Sequence, residues 1–119
     1  MHRQNSRGET AVFIAAQVGS SGLVAAMASA GANVEMPNHS GATPAYIAAQ
    51  EGHSEVLRLL TELGANVETP NNSGATPVFI AALYGHAEVV RLLAELGANV
   101  ETPHNSGCTP ICAAAACDN

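Results

Sequence analysis

The sequence predicts an all-α fold, a solenoid built from stacked helix–turn–helix units, and three observations lead to this prediction. The 119 residues repeat themselves at a fixed period of 33, and self-similarity at such a period indicates a stacked architecture. Each copy contains two short stretches with the apolar spacing of a helix. The apolar residues are mostly Ala, Val, Leu and Ile, with no Trp, which suits thin units that pack closely on each other.

The repeat defines four copies. Copy three, residues 71–103, aligns without a gap with copy two, residues 38–70. Residues 5–37 form copy one in the same register, and residues 104–119 begin a truncated copy four. The outer copies match at Thr10, Gly19, Gly31, Ala32, Asn33, Val34, Glu35, Pro37, Gly107, Thr109 and Pro110. We expect one domain over residues 1–119, in which every copy buries its apolar surface on the next.

Copy two shows how the first helix of a copy is specified. A turn cluster occupies residues 38–41. Thr43 follows, and we expect its side chain to cap the helix. Pro44 then stands at the first helical position, where the N–H that it lacks would have no partner. The predicted helix runs to about Gln50 and is short and rich in Ala, and Gly52 ends it.

The second helix of copy two follows a tight turn, and we expect Ser54 to cap it. Arg58 lies between Glu55 and Glu62 at helical spacing on the solvent side. Gly64 is the expected left-handed residue at the end of the helix, followed by an extended arm. Because both helices are too short to be stable alone, the copies must support one another. The predicted apolar side is Val56, Leu57, Leu59, Leu60 and Leu63.

The pattern T-P-x-[YF]-I-A-A-x-x-G-H-x-E-V-[VL]-R-L-L-x-E-L-G-A-N-V, shared by copies two and three, resembles the ankyrin repeat. The resemblance covers nearly the whole chain. It implies antiparallel helix pairs stacked side by side, with hairpin-like loops that project at right angles. It also implies that the ends of the first helices face a concave groove.

Several positions depart from the family pattern, and two of them bear on chemistry. The family's usual His after T-P-L is replaced here by Phe13, Tyr46, Phe79 and Cys112. We expect the aromatic rings to be partly buried and structural, without the hydrogen bonds of an imidazole. The arm position where the family often carries a hydroxylated Asn holds Glu35, Glu68 and Glu101. The chain therefore offers no such hydroxylation target in the arms.

The candidate binding surface comes from differences between copies two and three. The largest changes of character are Gln50 to Leu83 and Glu51 to Tyr84, at the end of the first helix, where copy one has Val18. Tyr is favoured in recognition because it gives area and a hydroxyl at low entropy cost. The alternative is that Leu83 and Tyr84 cover a gap between copies. The expected partner-binding residues are Val18, His39, Gln50, Glu51, Asn72, Ser73, Leu83, Tyr84 and Asn105.

Charge restricts the class of partner. The chain has ten acidic residues against four Arg and no Lys. It lacks the basic surface that neutralises phosphates, so we expect no nucleic-acid partner. It also lacks a basic helix face for anionic lipid and any apolar run long enough for a membrane span. The partner that we expect is a protein.

The residue types that could carry catalysis or hold a metal do not form a recognisable site. His53 and His86 recur at the repeat period, and equivalent helices about 8–10 Å apart are too widely spaced for both rings to bind one zinc ion. Nucleophile elbows and phosphate-binding loops are absent from the sequence. We expect no enzyme activity, no metal and no cofactor. The cysteines, whose spacing is not that of a zinc site, are Cys108, Cys112 and Cys117.

The compartment follows from these cysteines and from the beginning of the chain. An odd number of Cys without a pairing framework indicates a reducing, cytoplasmic environment. Residues 1–32 also resemble a secretory signal, with Ala28, Ser29 and Ala30 as its cleavage site. Polar residues interrupt that apolar run, and the stretch keeps the register of the repeat. We therefore interpret it as copy one.

Three functions are compatible with this sequence to different degrees. The first is a non-catalytic protein-binding module or scaffold, and the second is a structural part of a longer array whose recognition surface lies elsewhere. An enzyme is the third. Copy one is less polar than a terminal copy usually is, so we expect a weak cap. Copy four has no second helix, so we expect either a frayed end or end-to-end self-association through a half-covered helix 87–96, including Val89, Leu93 and Leu96.

Overall fold

A computed structural model describes residues 4–6 and 8–110 of the chain. Within these residues the secondary structure consists of six α-helices and no strand, which confirms the all-α prediction. The helix predicted at the start of copy four, over residues 113–117, lies outside the described residues. The helices are α1 (Ala11–Val18), α2 (Ser21–Ser29), α3 (Pro44–Glu51), α4 (Ser54–Glu62), α5 (Pro77–Leu83) and α6 (Ala87–Glu95).

The first helices of copies one, two and three begin as predicted. The backbone N–H of Tyr46 donates to Thr43 Oγ1 at 3.1 Å, and Pro44 occupies the first helical position. Thr10 and Thr76 accept the equivalent bonds, each at 3.2 Å. These hydroxyls satisfy N–H groups that the start of a helix leaves without a partner. All three threonines are buried, so the caps are part of the core.

The prediction that Ser54 caps the second helix is wrong. Ser54 is the first residue of α4, and His53 occupies the cap position without a side-chain capping bond. The His53 ring points to the preceding copy instead, where Nε2 donates to the Gln17 carbonyl at 3.0 Å. His86 donates to the Gln50 carbonyl at 2.8 Å in the same way. Each imidazole thus satisfies a carbonyl in the last turn of the neighbouring helix, where no intrahelical partner exists.

The end of the second helix is as predicted. Gly64 has φ +88°, in the left-handed region. Its N–H donates to the Thr61 carbonyl at 3.0 Å, and the Ala65 N–H donates to the Leu60 carbonyl at 2.9 Å. This pair of bonds is the Schellman motif, which needs a residue without a Cβ penalty at its left-handed position.

The alanine-rich first helices determine the curvature of the stack. They approach one another more closely than the second helices do, because small side chains permit a short interaxial distance. A stack whose one side is more closely spaced bends toward that side. This spacing predicts a stack whose concave side is formed by α1, α3 and α5, called the inner helices. The buried alanines that allow this are Ala15, Ala16, Ala48, Ala49, Ala81 and Ala82.

The arms between copies are joined by carboxylates. Glu35 Oε1 accepts the Asn66 backbone N–H at 2.8 Å, and Glu68 Oε1 accepts the Asn99 N–H at 2.7 Å. Asn66 in turn accepts the Glu68 N–H through its side chain at 2.8 Å. The glutamates that replace the family's modified asparagine therefore link one arm to the next.

Several burial predictions need correction. Leu63, predicted on the apolar side of α4, is 40% exposed because it lies at the C-cap beyond the last helical turn. The aromatic residues of the first helices are fully buried rather than partly buried, at 1% for Phe13, 7% for Tyr46 and 8% for Phe79. Their rings lie in the main core cluster between helices.

The prediction that one face of α6 is only half covered is wrong for Val89 and Leu93. Val89 and Leu93 are buried in the core that α6 shares with α4 and α5, and Leu96 is only partly buried. Copy one has two exposed apolar residues whose equivalents in copies two and three are buried, Ile14 at 42% and Leu23 at 50% exposed. Among the described residues, no helix packs on the outer side of copy one. End-to-end self-association stays a prediction.

The helices are short, and their length bears on the membrane prediction. In the part of the chain that the structure describes, none combines the length and apolar character required to cross a bilayer.

Stability should be graded along the stack. Leu60→Ala and Leu93→Ala each remove a fully buried side chain and are expected to lower the free energy of unfolding by about 2–5 kcal/mol. Ala26→Gly, at an exposed position of α2, should cost about 1 kcal/mol through helix propensity alone. Urea denaturation of the three variants measures the difference. An Ala26 variant as unstable as the leucine variants would show that copy one is not a weak cap.

Candidate binding groove

A groove of about 280 Å³ lies between the first helices of copies one and two, α1 and α3, and the loop tips that follow them, including Asn71 of copy three. Its floor is apolar and buried, and its rim carries amides, a hydroxyl and one carboxylate. This combination can hydrogen-bond a polar chain along its length. The residues that line it are Glu9, Phe13, Gln17, Asn38, Ser40, Ala42, Tyr46, Ile47, Gln50 and Asn71.

Asparagine side chains hold the loop tips in one conformation. Asn38 Oδ1 accepts the backbone N–H groups of Ser40 at 2.9 Å and of Ala42 at 3.0 Å. Asn71 makes the equivalent bonds one copy later. Side chains that hydrogen-bond their own backbone two residues on are a standard way to stabilise turns. The rim of the groove is therefore set before any ligand arrives.

The tips also stack on one another. The Asn72 N–H donates to the Ser40 carbonyl at 2.9 Å, and Asn72 Nδ2 donates to the His39 carbonyl at 3.1 Å. Gly41 has φ +81°, and a Cβ there would overlap with Asn72. His39 and Asn105 cover Gly8 and Gly74 in the same way. Three of the predicted partner-binding residues thus join neighbouring tips, while part of each side chain stays exposed to solvent.

Two aromatic residues of the first helices, Tyr46 and Phe79, contact the loop tips of the next copy. Asn71 Nδ2 donates to the Tyr46 hydroxyl at 3.2 Å. Phe79 stacks on the His104 ring with centroids 5.0 Å apart. The sequence analysis expected an aromatic ring at this position to lack the hydrogen bonds of an imidazole, but the Tyr46 hydroxyl accepts one. Burial, and in second place the neighbouring Tyr84 phenol, raise the pKa of Tyr46 above its ordinary value of 10.0.

The ends of the inner helices form the second part of the candidate site. Leu83 ends α5 and Tyr84 is its C-cap, and they are 38% and 54% exposed. The Tyr84 ring stacks on His86 with centroids 6.4 Å apart, which orients the phenol. In the neighbouring copy, Gln50 Nε2 donates to Glu51 Oε2 at 3.3 Å.

The predicted residues fall into two sets by element, and Gln50 is the one among them that lines the groove. At the ends of the inner helices are Val18, Gln50, Glu51, Leu83 and Tyr84, and at the loop tips are His39, Asn72, Ser73 and Asn105. Whether Leu83 and Tyr84 bind a partner or cover a gap stays a prediction.

The sequence analysis did not predict Glu9 as a site residue, because it chose candidates by comparing copies two and three. This carboxylate lines the groove at a position where the later copies have Ala42 and Ala75. Comparison with copy one would have shown the change. The contribution of Phe13 and Tyr46 was missed for another reason, since their reach to the next tip depends on how the copies stack.

Charge is distributed unevenly over the two sides of the stack. Of the four arginines, the structure describes Arg58 and Arg91, which lie on the outer helices α4 and α6 beside Glu88 and Glu95. Within the described ranges, the concave side carries acidic but no basic side chains of Arg or Lys type. Nor do these ranges contain a group of three or more His, Cys, Asp or Glu that could hold a metal ion.

Comparison with known proteins identifies a family. A family model described as ankyrin repeats, in three copies, matches residues 1–71 and again residues 63–119. No curated protein matches the chain significantly.

Tyr46 should make the stability of the fold depend on pH in the alkaline range. Because the folded state holds the Tyr46 proton more tightly than the unfolded state does, its contribution is complete below about pH 10 and is lost as the pH rises further. Tyr46→Phe should cost about 1 kcal/mol near neutral pH through the lost Asn71 bond. It should also flatten the alkaline decline.

Chemical denaturation between about pH 8 and pH 11 measures both effects. Tyr84→Phe is the matched control, because it removes an exposed phenol and should leave most of the decline in place. An unchanged pH slope in Tyr46→Phe would contradict the prediction.

Proposed function

The chain belongs to the ankyrin-repeat family, and we propose that it is a non-catalytic module that binds a protein partner through the ends of its inner helices and its loop tips. Ankyrin repeats are in general protein–protein interaction modules. The proposal adds the surface, which lies on the concave side. It also places the binding in the cytoplasm, in keeping with cysteines that have no pairing framework in the sequence.

The observation that carries this proposal is the exposed pair Leu83 and Tyr84 at the end of α5. Large apolar side chains at a curved surface give a partner area to bury. An aromatic ring with a hydroxyl is the side-chain type that most often dominates binding energy. Stacking on His86 reduces the freedom that Tyr84 has to lose on binding.

One observation favours the alternative that the chain is a structural part of a longer array. Leu23 is 50% exposed, whereas Val56 and Val89 at the equivalent positions are buried. Ile14 differs from Ile47 in the same way. A further repeat packed on copy one would bury both side chains.

Substitutions on the two sides of the stack should have different effects on binding. Tyr84→Ala is expected to weaken binding to the native partner by about 2 kcal/mol, roughly thirtyfold in dissociation constant, and Leu83→Ser by less. Arg58→Ala and Arg91→Ala, on the outer helices, should leave binding unchanged. Titration calorimetry with a partner purified on the wild-type chain measures these constants.

The four variants also serve as controls for one another, because all are at exposed positions and should keep the helical content seen by circular dichroism. Equal losses of affinity on the two sides, with folding intact, would contradict the concave surface.

A further inference from the structure

We propose that the groove between copies one and two binds an extended peptide segment that carries a lysine or arginine side chain. This inference rests on the proposed function and adds the chemistry of the partner. It uses a different part of the concave side. Glu9 and Asn38 lie in copies one and two, whereas Leu83 and Tyr84 lie in copy three.

Unpaired amide groups suit the groove to a peptide backbone. Asn38 Oδ1 is occupied by two backbone N–H groups, but among the described residues Asn38 Nδ2 has no acceptor. The equivalent amide of Asn71 donates to the Tyr46 hydroxyl, and copy one has Phe13 at that position. The side-chain amide of Gln17, on the opposite wall, likewise has no partner within the described residues. Donors and acceptors on both walls match the alternating N–H and C=O groups of an extended chain.

Glu9 gives the groove its preference for charge. Asn5 Nδ2 donates to Glu9 Oε1 at 3.0 Å, and the Glu9 N–H donates to Asn5 Oδ1 at 3.0 Å, so the carboxylate is held in one orientation. The second carboxylate oxygen has no hydrogen-bond donor within the described residues. Glu9 is partly buried, which strengthens its attraction for a cation compared with a fully exposed carboxylate.

The surrounding charges favour the same partner. Glu51 lies at the end of α3, beyond Gln50 on the wall of the groove. The described arginines, Arg58 and Arg91, lie on the outer helices. Among the described residues, the charged Asp, Glu, Arg or Lys side chains near the groove are therefore acidic, which favours a basic segment over an acidic one.

The probe is a displayed library of random linear peptides, selected on the purified full chain. The selected peptides are expected to share a Lys or Arg at a fixed position, and selection on Glu9→Gln should remove that preference. Peptides without a basic residue would overturn the inference. A library from which nothing is enriched would overturn it as well.

Two substitutions, one on each wall, are tested by measuring the affinity of one selected basic peptide with fluorescence anisotropy. Glu9→Gln should weaken binding about two- to fivefold, and the difference should shrink at high salt. Phe13→Tyr should also weaken it, because the new hydroxyl can accept the Asn38 amide as Tyr46 accepts that of Asn71. Glu62→Gln removes an exposed carboxylate on the outer side and should have no effect.

Phe13→Tyr is informative because it adds an atom and a hydrogen bond rather than removing one. Its free energy of unfolding should equal or exceed that of the wild type, so weaker binding cannot be attributed to poor folding. Unchanged binding in both Glu9→Gln and Phe13→Tyr would overturn the inference.

The inference and the proposed function fail in distinguishable ways. Selected peptides that lack a basic residue, but whose binding is lost in Tyr84→Ala, would overturn the cationic segment and support the concave surface. A native partner that is insensitive to Tyr84→Ala and Leu83→Ser would overturn the proposed surface. A basic peptide weakened by Glu9→Gln would in that case still support the groove as its site.

Discussion

The close packing of the alanine-rich first helices is the contact on which the rest of the structure depends. Residues such as Ala48 and Ala49 bring neighbouring helices together because they place almost nothing between them. A larger side chain there would force the copies apart. The same contact bends the stack, since the second helices, with leucines between them, stay further apart. Curvature, and with it the concave groove, is thus a consequence of side-chain size at a few positions.

A set of hydrogen bonds between copies follows from that packing. His53 and His86 reach carbonyls of the preceding copy, and Glu35 and Glu68 reach backbone N–H groups of the following one. Within the described residues, these bonds occur at the junctions between copies one and two and between copies two and three, because those copies are equivalent. Each satisfies a backbone group that would otherwise need water, so it determines how neighbouring copies are aligned as well as how strongly they are held.

The groove combines this framework with a few departures from it. Asn38 and Asn71 hold their loops in the same way. Of the two, Asn71 also donates to a tyrosine hydroxyl, that of Tyr46, because the equivalent residue in copy one is Phe13. Glu9 similarly stands where copies two and three have alanine. In a protein built from repeats, equivalent positions experience nearly equivalent surroundings, so a chemically distinct site must come from such exceptions.

The sequence by itself determined the period, the type and order of the helices, the threonine caps and the glycine ends, because each depends on interactions within a few residues. The resemblance carried by its repeated motif also supplied the family. Only the tertiary structure decided that His53 serves the neighbouring copy rather than its own helix, that Val89 and Leu93 are covered, and that Glu35 joins two arms. Those outcomes depend on distances between residues about one period apart in the chain, and these distances are fixed when the inner helices pack.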